Sequence, residues 1–329
     1  MSSPPIYAPP PFVPRAPWWT GDLQTLRNFL VRRWPDLAGY EAARLTFALD
    51  DGSGDTLVGT LNAPPAGGRA RPLAVLIHGL TGCESSSYML HSAAHLLSQG
   101  YGVLRLNLRG AGPSRALCQL RYHAGRTGDL VAVLSRLDPD LTRGGIVLAG
   151  YSLGANMLLK FLAEHGRNFP VRAAASVSAP IDLAATSRRM MAPRNRAYQA
   201  WLLARMKQDC TGPRMVPTPA ERQALALART VWAFDDRFVA PRNGYADADA
   251  YYAENSAQRF LPSIPVPTLI VHAADDPWIP LDAYRDQDWR SNPHLTLALT
   301  RAGGHVGFHG AGDNVAWHDR AIAGFFGAR

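Results

Sequence analysis

Six short apolar runs, separated by helical patterns, constrain this chain more than any other feature. They are LAVLIH (73–78), GVLRLN (102–107), GIVLA (145–149), RAAASVS (172–178), PTLIVHA (267–273) and LTLALT (295–300). Each has strand length and little polar alternation, the pattern of strands buried on both faces. Helical spacing is predicted at 87–98, 125–137, 153–165 and 313–326. Strands alternating with helices imply an α/β fold, a mostly parallel central sheet with helices on both faces. A further strand pair, 43–49 and 56–62, is predicted around the turn Asp50–Asp51–Gly52–Ser53–Gly54.

The rhythm breaks between 181 and 262. That stretch reads as helices, including 197–208 and 219–233, with no strand. A helical insertion between two sheet strands is a cap over the strand ends. The chain therefore divides into an N-terminal arm and helix (1–40), a body (41–180 and 263–329) and a helical cap (181–262). Residues 1–20 are proline-rich and are predicted to be extended, either lying on the body or partly disordered. A helix is predicted over 22–34, with Leu23, Leu26, Phe29 and Leu30 on one face and Arg27, Arg32 and Arg33 elsewhere. It reads either as docked on the body or as a peripheral membrane contact made together with Trp18–Trp19.

Composition excludes several classes of protein. Hydrophobic residues make up 47% of the 329, ample for a buried core, so a disordered chain is ruled out. No apolar run reaches the roughly 20 residues of a transmembrane helix. The net charge of +8 is almost all arginine, and the densest pairs are only Arg32–Arg33 and Arg188–Arg189. Such scatter argues against a nucleic-acid partner. Cys83, Cys118 and Cys210 are an odd number without CxxC spacing, which fits a reducing, cytoplasmic setting and no disulfide framework. His91 and His95 have metal-ligand spacing but lack an HExxH glutamate, so neither a metal nor a cofactor is expected.

The sharpest motif is Gly150–Tyr151–Ser152–Leu153–Gly154, which directly follows GIVLA and opens the predicted helix at 153. Between strand and helix, GxSxG makes a tight, strained turn that exposes the serine hydroxyl at the C-terminal edge of the sheet. A serine nucleophile needs two N–H donors for the developing oxyanion. One is expected from Leu153, and the other from Leu80 in the loop His78–Gly79–Leu80–Thr81–Gly82. His78 sits where that loop leaves the sheet and is read as a core residue.

The base and its orienting acid should follow the serine in the chain, each at the end of a strand. Asp275–Asp276 follow PTLIVHA; Asp276 is preferred because Pro280 lies four residues beyond it. His305 lies in the glycine-rich loop Arg301–Phe308 after the last strand, 29 residues beyond Asp276 and 153 beyond Ser152. His309 is its rival, and His272, inside a strand, reads as a core residue. In the cap, Met190, Trp201 and Met206 are candidates to contact substrate, together with Tyr151 of the elbow. Apolar cap helices fit an acyl pocket or the cap's own core equally well.

The segments HGLTGCESSSY (78–88), NLRGAGPS (107–114), GYSLGAN (150–156), FDDRFVAPRNGY (234–245), DADAYY (247–252), VPTLIVHAADDPWIP (266–280), RAGGHVGF (301–308) and LQTL (23–26) together resemble the YheT-like branch of the α/β-hydrolase superfamily. The resemblance implies Ser152 as nucleophile, Asp276 as acid, His305 as base and a cap over the site. It gives FDDRF no settled role; a tie between cap and body through Asp235 or Asp236 and an arginine is the expectation here. The expected activity is carboxylic ester hydrolysis on small-molecule or lipid-like esters of short to medium acyl length. Thioester or amide hydrolysis, acyl transfer or perhydrolysis on the same triad, or a non-catalytic binding protein on this scaffold, are the alternatives.

Overall fold

The computed structural model describes residues 7–31, 33–64 and 71–329. Eight strands form one sheet in the order β1-β2-β4-β3-β5-β6-β7-β8. They are β1 (Ala42–Ala48), β2 (Thr56–Asn62), β3 (Leu73–Ile77), β4 (Gly102–Asn107), β5 (Ile146–Tyr151), β6 (Val171–Val177), β7 (Thr268–Ala273) and β8 (Leu295–Thr300). Strand β2 runs antiparallel to both of its neighbours, and the remaining pairings are parallel. All six apolar runs are strands, and 43–49 with 56–62 are the antiparallel pair.

Successive residues of a strand face opposite sides of the sheet, so one strand serves two cores. Leu73, Val75 and Ile77 pack with Leu158 and Leu162 of helix Leu153–His165 and with Leu130 and Val133 of helix Gly128–Ser135. Ala74 and Leu76 pack on the other side with Met89 and Leu97 of helix Ser87–Ser98 and with Ile322 and Phe325 of helix Trp317–Gly327. Apolar residues on both faces are why the inner strands show no polar alternation; β8 departs from that expectation, since it is the edge strand, mostly half-buried and with Leu299 exposed.

The described elements between β6 and β7 are helical. The helix predicted over 219–233 is two, Pro219–Leu227 and Val231–Phe234. Thr230 explains the break, because its hydroxyl accepts the N–H of Ala233 and starts a new helix. Near the end of the insertion, Ala257, Leu261 and Ile264 already belong to the core of the body. No helix among the described residues is long and apolar enough to cross a membrane.

The N-terminal helix, Gly21–Leu30, is shorter than predicted. Val31 is extended, and Pro35 disfavours helix at Trp34; position 32 lies outside the described residues. The helix docks on the body, but through its other face. Gly21, Gln24 and Thr25 are buried, while Leu23, Phe29 and Leu30 remain exposed. Ahead of it the described arm lies on the body, the first of the two expected arrangements. The indole N–H of Trp317 donates to Pro10 O at 2.7 Å, and Arg15 N–H donates to His309 O at 3.0 Å. Of the proline-rich stretch, residues 1–6 lie outside the described residues.

Candidate active site

All five non-glycine residues with positive φ among the described residues, Thr81, Ser152, Ser178, Val306 and Phe308, lie in loops at the C-terminal edge of the sheet. Backbone strain gathered at one rim marks that rim for function. Ser152 has φ 51° and ψ −123° and turns strand β5 into helix Leu153–His165. The turn closes only because its neighbours are small. A Cβ on Gly154 would sit 2.3 Å from His78 O, and one on Gly150 would sit 2.8 Å from the Ala155 Cα.

The structure brings Ser152, His305 and Asp276 together. Ser152 Oγ lies 2.9 Å from His305 Nε2, and His305 Nδ1 lies 2.9 Å from Asp276 Oδ2. The other carboxyl oxygen of Asp276 accepts the N–H groups of Trp278 (2.8 Å) and Ile279 (3.0 Å). Burial alone would raise the pKa of Asp276, but the charge and hydrogen bond of His305, with His272 and Ile279 N–H, hold it below the ordinary carboxylate value. An ionised acid on Nδ1 makes that nitrogen the donor, leaving Nε2 free to take a proton from the serine.

The loop after β3 is tied on both sides of Leu80. Gly79 N–H donates to the Tyr88 hydroxyl at 2.9 Å, and Thr81 N–H donates to the Tyr122 hydroxyl at 2.7 Å. Leu80 N–H carries no such bond among the described residues, and Leu153, first residue of its helix, has an N–H with no partner within that helix. Gly79 gives the loop its closeness to the elbow, since a Cβ there would lie 2.9 Å from Ser152 Cβ.

The rival residues have other partners. Asp275 accepts Gly304 N–H at 2.9 Å and so braces the loop of His305. The ring of His309 takes Arg27 Nη1 at 3.0 Å, and burial beside that cation pushes its pKa down to about 3. His78 accepts Leu108 N–H at 3.1 Å and lies buried, its pKa lowered to about 4 by desolvation. His272 is buried and stacked on Tyr284, its ring 3.8 Å away.

Two cavities meet at Ser152, Leu80 and Trp278. An inner chamber of about 100 Å³ is roofed by the cap and includes Leu153, Met190 and Met206 in its wall. An outer cleft of about 570 Å³ is bordered by Phe29, Trp34, Trp201, Arg205 and His305. Met190 and Met206 thus face one space and Trp201 the other. Tyr151 faces neither: its ring is fully buried on the far side of the elbow, where its hydroxyl donates to Ser92 Oγ at 2.7 Å. Consecutive residues leave a strand on opposite faces, so Ser152 and Tyr151 cannot share a cavity.

Several residues at the site lie in segments that carry the resemblance, yet the sequence assigned them no role. Gln24 donates to His309 O at 3.1 Å and accepts His309 N–H at 2.7 Å. Thr25 Oγ1 accepts the N–H of His305 itself at 2.8 Å. A Cβ on Gly304 would lie 2.3 Å from Gly21 O, so the glycines of this loop admit the N-terminal helix. Trp278 lays its ring over His305 with centroids 4.3 Å apart. Asp235 does not tie cap to body through an arginine; its Oδ2 accepts the Tyr252 hydroxyl at 2.7 Å, inside the cap, and Asp236 accepts Ala248 N–H at 3.2 Å. The ties between cap and body run elsewhere, from Arg121 Nη1 to Met206 O (3.0 Å) and from Ala124 N–H to the Tyr251 hydroxyl (2.9 Å).

A family model for the alpha/beta hydrolase fold matches residues 72–311. The chain belongs to that family. It is 33% identical over 302 residues to the Escherichia coli (strain K12) protein described as a candidate esterase, YheT, covering 91% of this chain and 87% of that one. It is 32% identical to the mouse phospholipase ABHD3, over 72% of this chain and 58% of the mouse protein. Among solved structures, the Pyrococcus furiosus esterase Pf2001 shares the fold with a TM-score of 0.54 at 18% identity, covering 91% of each chain. Relatives that carry esterase and phospholipase names support hydrolase activity for this member of the family.

Proposed function

We propose that this hydrolase cleaves carboxylic esters through an acyl-enzyme on Ser152. The observation that carries the reading is the unbroken line from Ser152 through His305 to Asp276, 2.9 Å at each link. His305 Nε2 takes the proton of Ser152 as its oxygen attacks the carbonyl, and Leu80 and Leu153 N–H hold the oxyanion. The proton then passes from Nε2 to the leaving alcohol. Water, deprotonated by the same nitrogen, releases the acid. Asp276 fixes the tautomer and stabilises the imidazolium.

The two cavities divide the substrate between them. The leaving oxygen must reach His305, which borders the outer cleft and not the inner chamber. The alcohol therefore occupies the outer cleft and the acyl chain the inner chamber, against Met190 and Met206. Phe29, 47% exposed, and Trp34, 59% exposed, give the outer cleft an apolar border. That border, with the phospholipase relative, favours a bulky, lipid-like alcohol.

A series of p-nitrophenyl esters from acetate to dodecanoate tests the reading. Turnover should peak at short or medium acyl length, and Met206→Trp should move the peak to shorter chains. No hydrolysis of any ester, or rates indifferent to chain length in both proteins, would contradict it.

A further inference from the structure

The inner chamber is not uniformly apolar. Asp235, Tyr252, Ser187 and Thr186 all border it from the cap, across from Ser152 on the body. They come from separate pieces of chain: helix Leu183–Met191, helix Ala248–Asn255, and the single π-helical turn Asp235–Val239. Inserted π turns recur at functional sites, and this one places a carboxyl group at the chamber.

The carboxyl is held by a directed chain. Tyr252 has one proton, which it gives to Asp235 Oδ2 at 2.7 Å, and Ser187 Oγ lies 3.1 Å from the same tyrosine oxygen. The second oxygen of Asp235 has no hydrogen-bond partner among the described residues. Thr186 Oγ1 is buried and has no partner there either. Arg121 Nε and Trp278 Nε1, from two further residues of the chamber wall, are buried without a partner as well. Buried polar atoms are nearly always satisfied, so a chamber lined by these residues is shaped for a polar guest. A plain alkyl chain would leave these groups without hydrogen bonds, at a free-energy cost.

The charges around the chamber limit what that guest can be. An anionic group would meet Asp235. A cationic group would meet Arg121, whose guanidinium borders the same space and is fixed to Met206 O and Cys210 Sγ. An uncharged hydroxyl, which both donates and accepts, satisfies both constraints and suits the unpartnered N–H groups of Arg121 and Trp278. Burial raises Asp235 to about 7 despite the hydrogen bond from Tyr252 and the pull of Arg121, so near neutral pH the carboxyl is partly protonated, and either form can bond a hydroxyl.

We propose that the inner chamber selects hydroxylated acyl chains, with Asp235 accepting a hydrogen bond from the acyl hydroxyl while Tyr252 and Ser187 hold the carboxyl in place. This rests on the acyl-enzyme reading above and names its substrate class. Asp235 acts here as a specificity-determining residue, not as a participant in bond cleavage. A site built to bond a hydroxyl discriminates against the analogue that lacks it, because the site's own polar atoms are then unpaired.

Ethyl hexanoate and its 3-, 4-, 5- and 6-hydroxy derivatives test this with the wild-type protein and the Asp235→Leu variant. At least one hydroxylated isomer should exceed ethyl hexanoate in kcat/KM by about tenfold or more in the wild type. The ratio for that isomer should fall by about tenfold or more in Asp235→Leu. A role confined to bracing the cap would lower both esters together and leave the ratio unchanged, which overturns the proposal. If Asp235→Leu does not fold, the wild-type series decides alone: no isomer above the parent ester overturns it. Turnover of ethyl hexanoate without hydroxyl preference refutes only this inference, whereas no turnover of any of the five esters refutes the acyl-enzyme reading and this inference with it.

Discussion

The two sides of the cleft are built in different ways. On the body side, position is set by backbone. Gly79, Gly150, Gly154 and Gly304 let main chains approach to distances that any Cβ would prevent, and the N–H groups of His305 and His309 are held by donating to Thr25 Oγ1 and Gln24 Oε1. On the cap side, position is set by side chains from separate helical pieces, as in the Ser187–Tyr252–Asp235 chain. Backbone contacts of the first kind tolerate almost no substitution. Side-chain contacts of the second kind can change one residue at a time without disturbing the rest. On the function proposed above, the difference corresponds to chemistry on the body and selectivity in the cap.

The largest effect is expected on the body. Ser152→Ala should lower ester turnover by about 10⁴-fold or more while leaving the melting temperature nearly unchanged. Turnover within tenfold of wild type would remove the body side of the comparison. Gly79→Ala comes next. Its new Cβ would collide with Ser152 Cβ, so the loop must shift and carry Leu80 N–H away from the oxyanion. A loss of about 10²-fold in kcat is expected, and a fully active variant would show that Leu80 is not a donor.

The N-terminal helix gives a smaller and more specific effect. Thr25→Val removes the acceptor for His305 N–H. We expect kcat to fall about tenfold with KM nearly constant, because the imidazole is misplaced while the cavities are intact. An equal rise in KM would place the helix among the binding elements instead.

The smallest effect on turnover, and the clearest on stability, belongs to Asp235→Asn. Folded, Asp235 titrates near 7 because it is buried; unfolded, an aspartate titrates near 4. Between about pH 4 and 7 the folded chain retains a proton that the unfolded chain releases, so wild-type stability declines as pH rises through that window and levels off above it. The variant lacks this decline. Its melting temperature relative to wild type should rise by a few degrees between pH 5 and 8, and a constant difference would show that Asp235 is ionised throughout.

The same division explains what could be read from sequence. Ser152, Asp276 and His305 each follow an apolar run, beside glycines or a proline, so strand ends and turn chemistry locate them without coordinates. The buried strands were legible because their apolar runs are of strand length, too short for a buried helix, and alternate with helical patterns. The contact of Gln24 and Thr25 with the loop of His305 was not, although LQTL (23–26) carries part of the resemblance. Amphipathic reasoning assigns the apolar face of a helix to the protein, yet Leu23, Phe29 and Leu30 stay exposed and the polar face docks. It does so because the loop of His305 presents backbone groups that need partners. Tyr151 was misassigned to the cavity because adjacency in sequence is not adjacency across a sheet. Asp235 was legible as a feature but not as a neighbour of Tyr252, since helical faces in the cap leave the pairing open.

The account stands on a serine hydroxyl activated for acylation. Intact-mass and peptide mapping after treatment with a fluorophosphonate probe measures that directly. One adduct is predicted, on the peptide carrying Ser152, absent from Ser152→Ala and strongly slowed in His305→Gln. An adduct on another residue, or undiminished labelling of the Ser152→Ala protein, would contradict it.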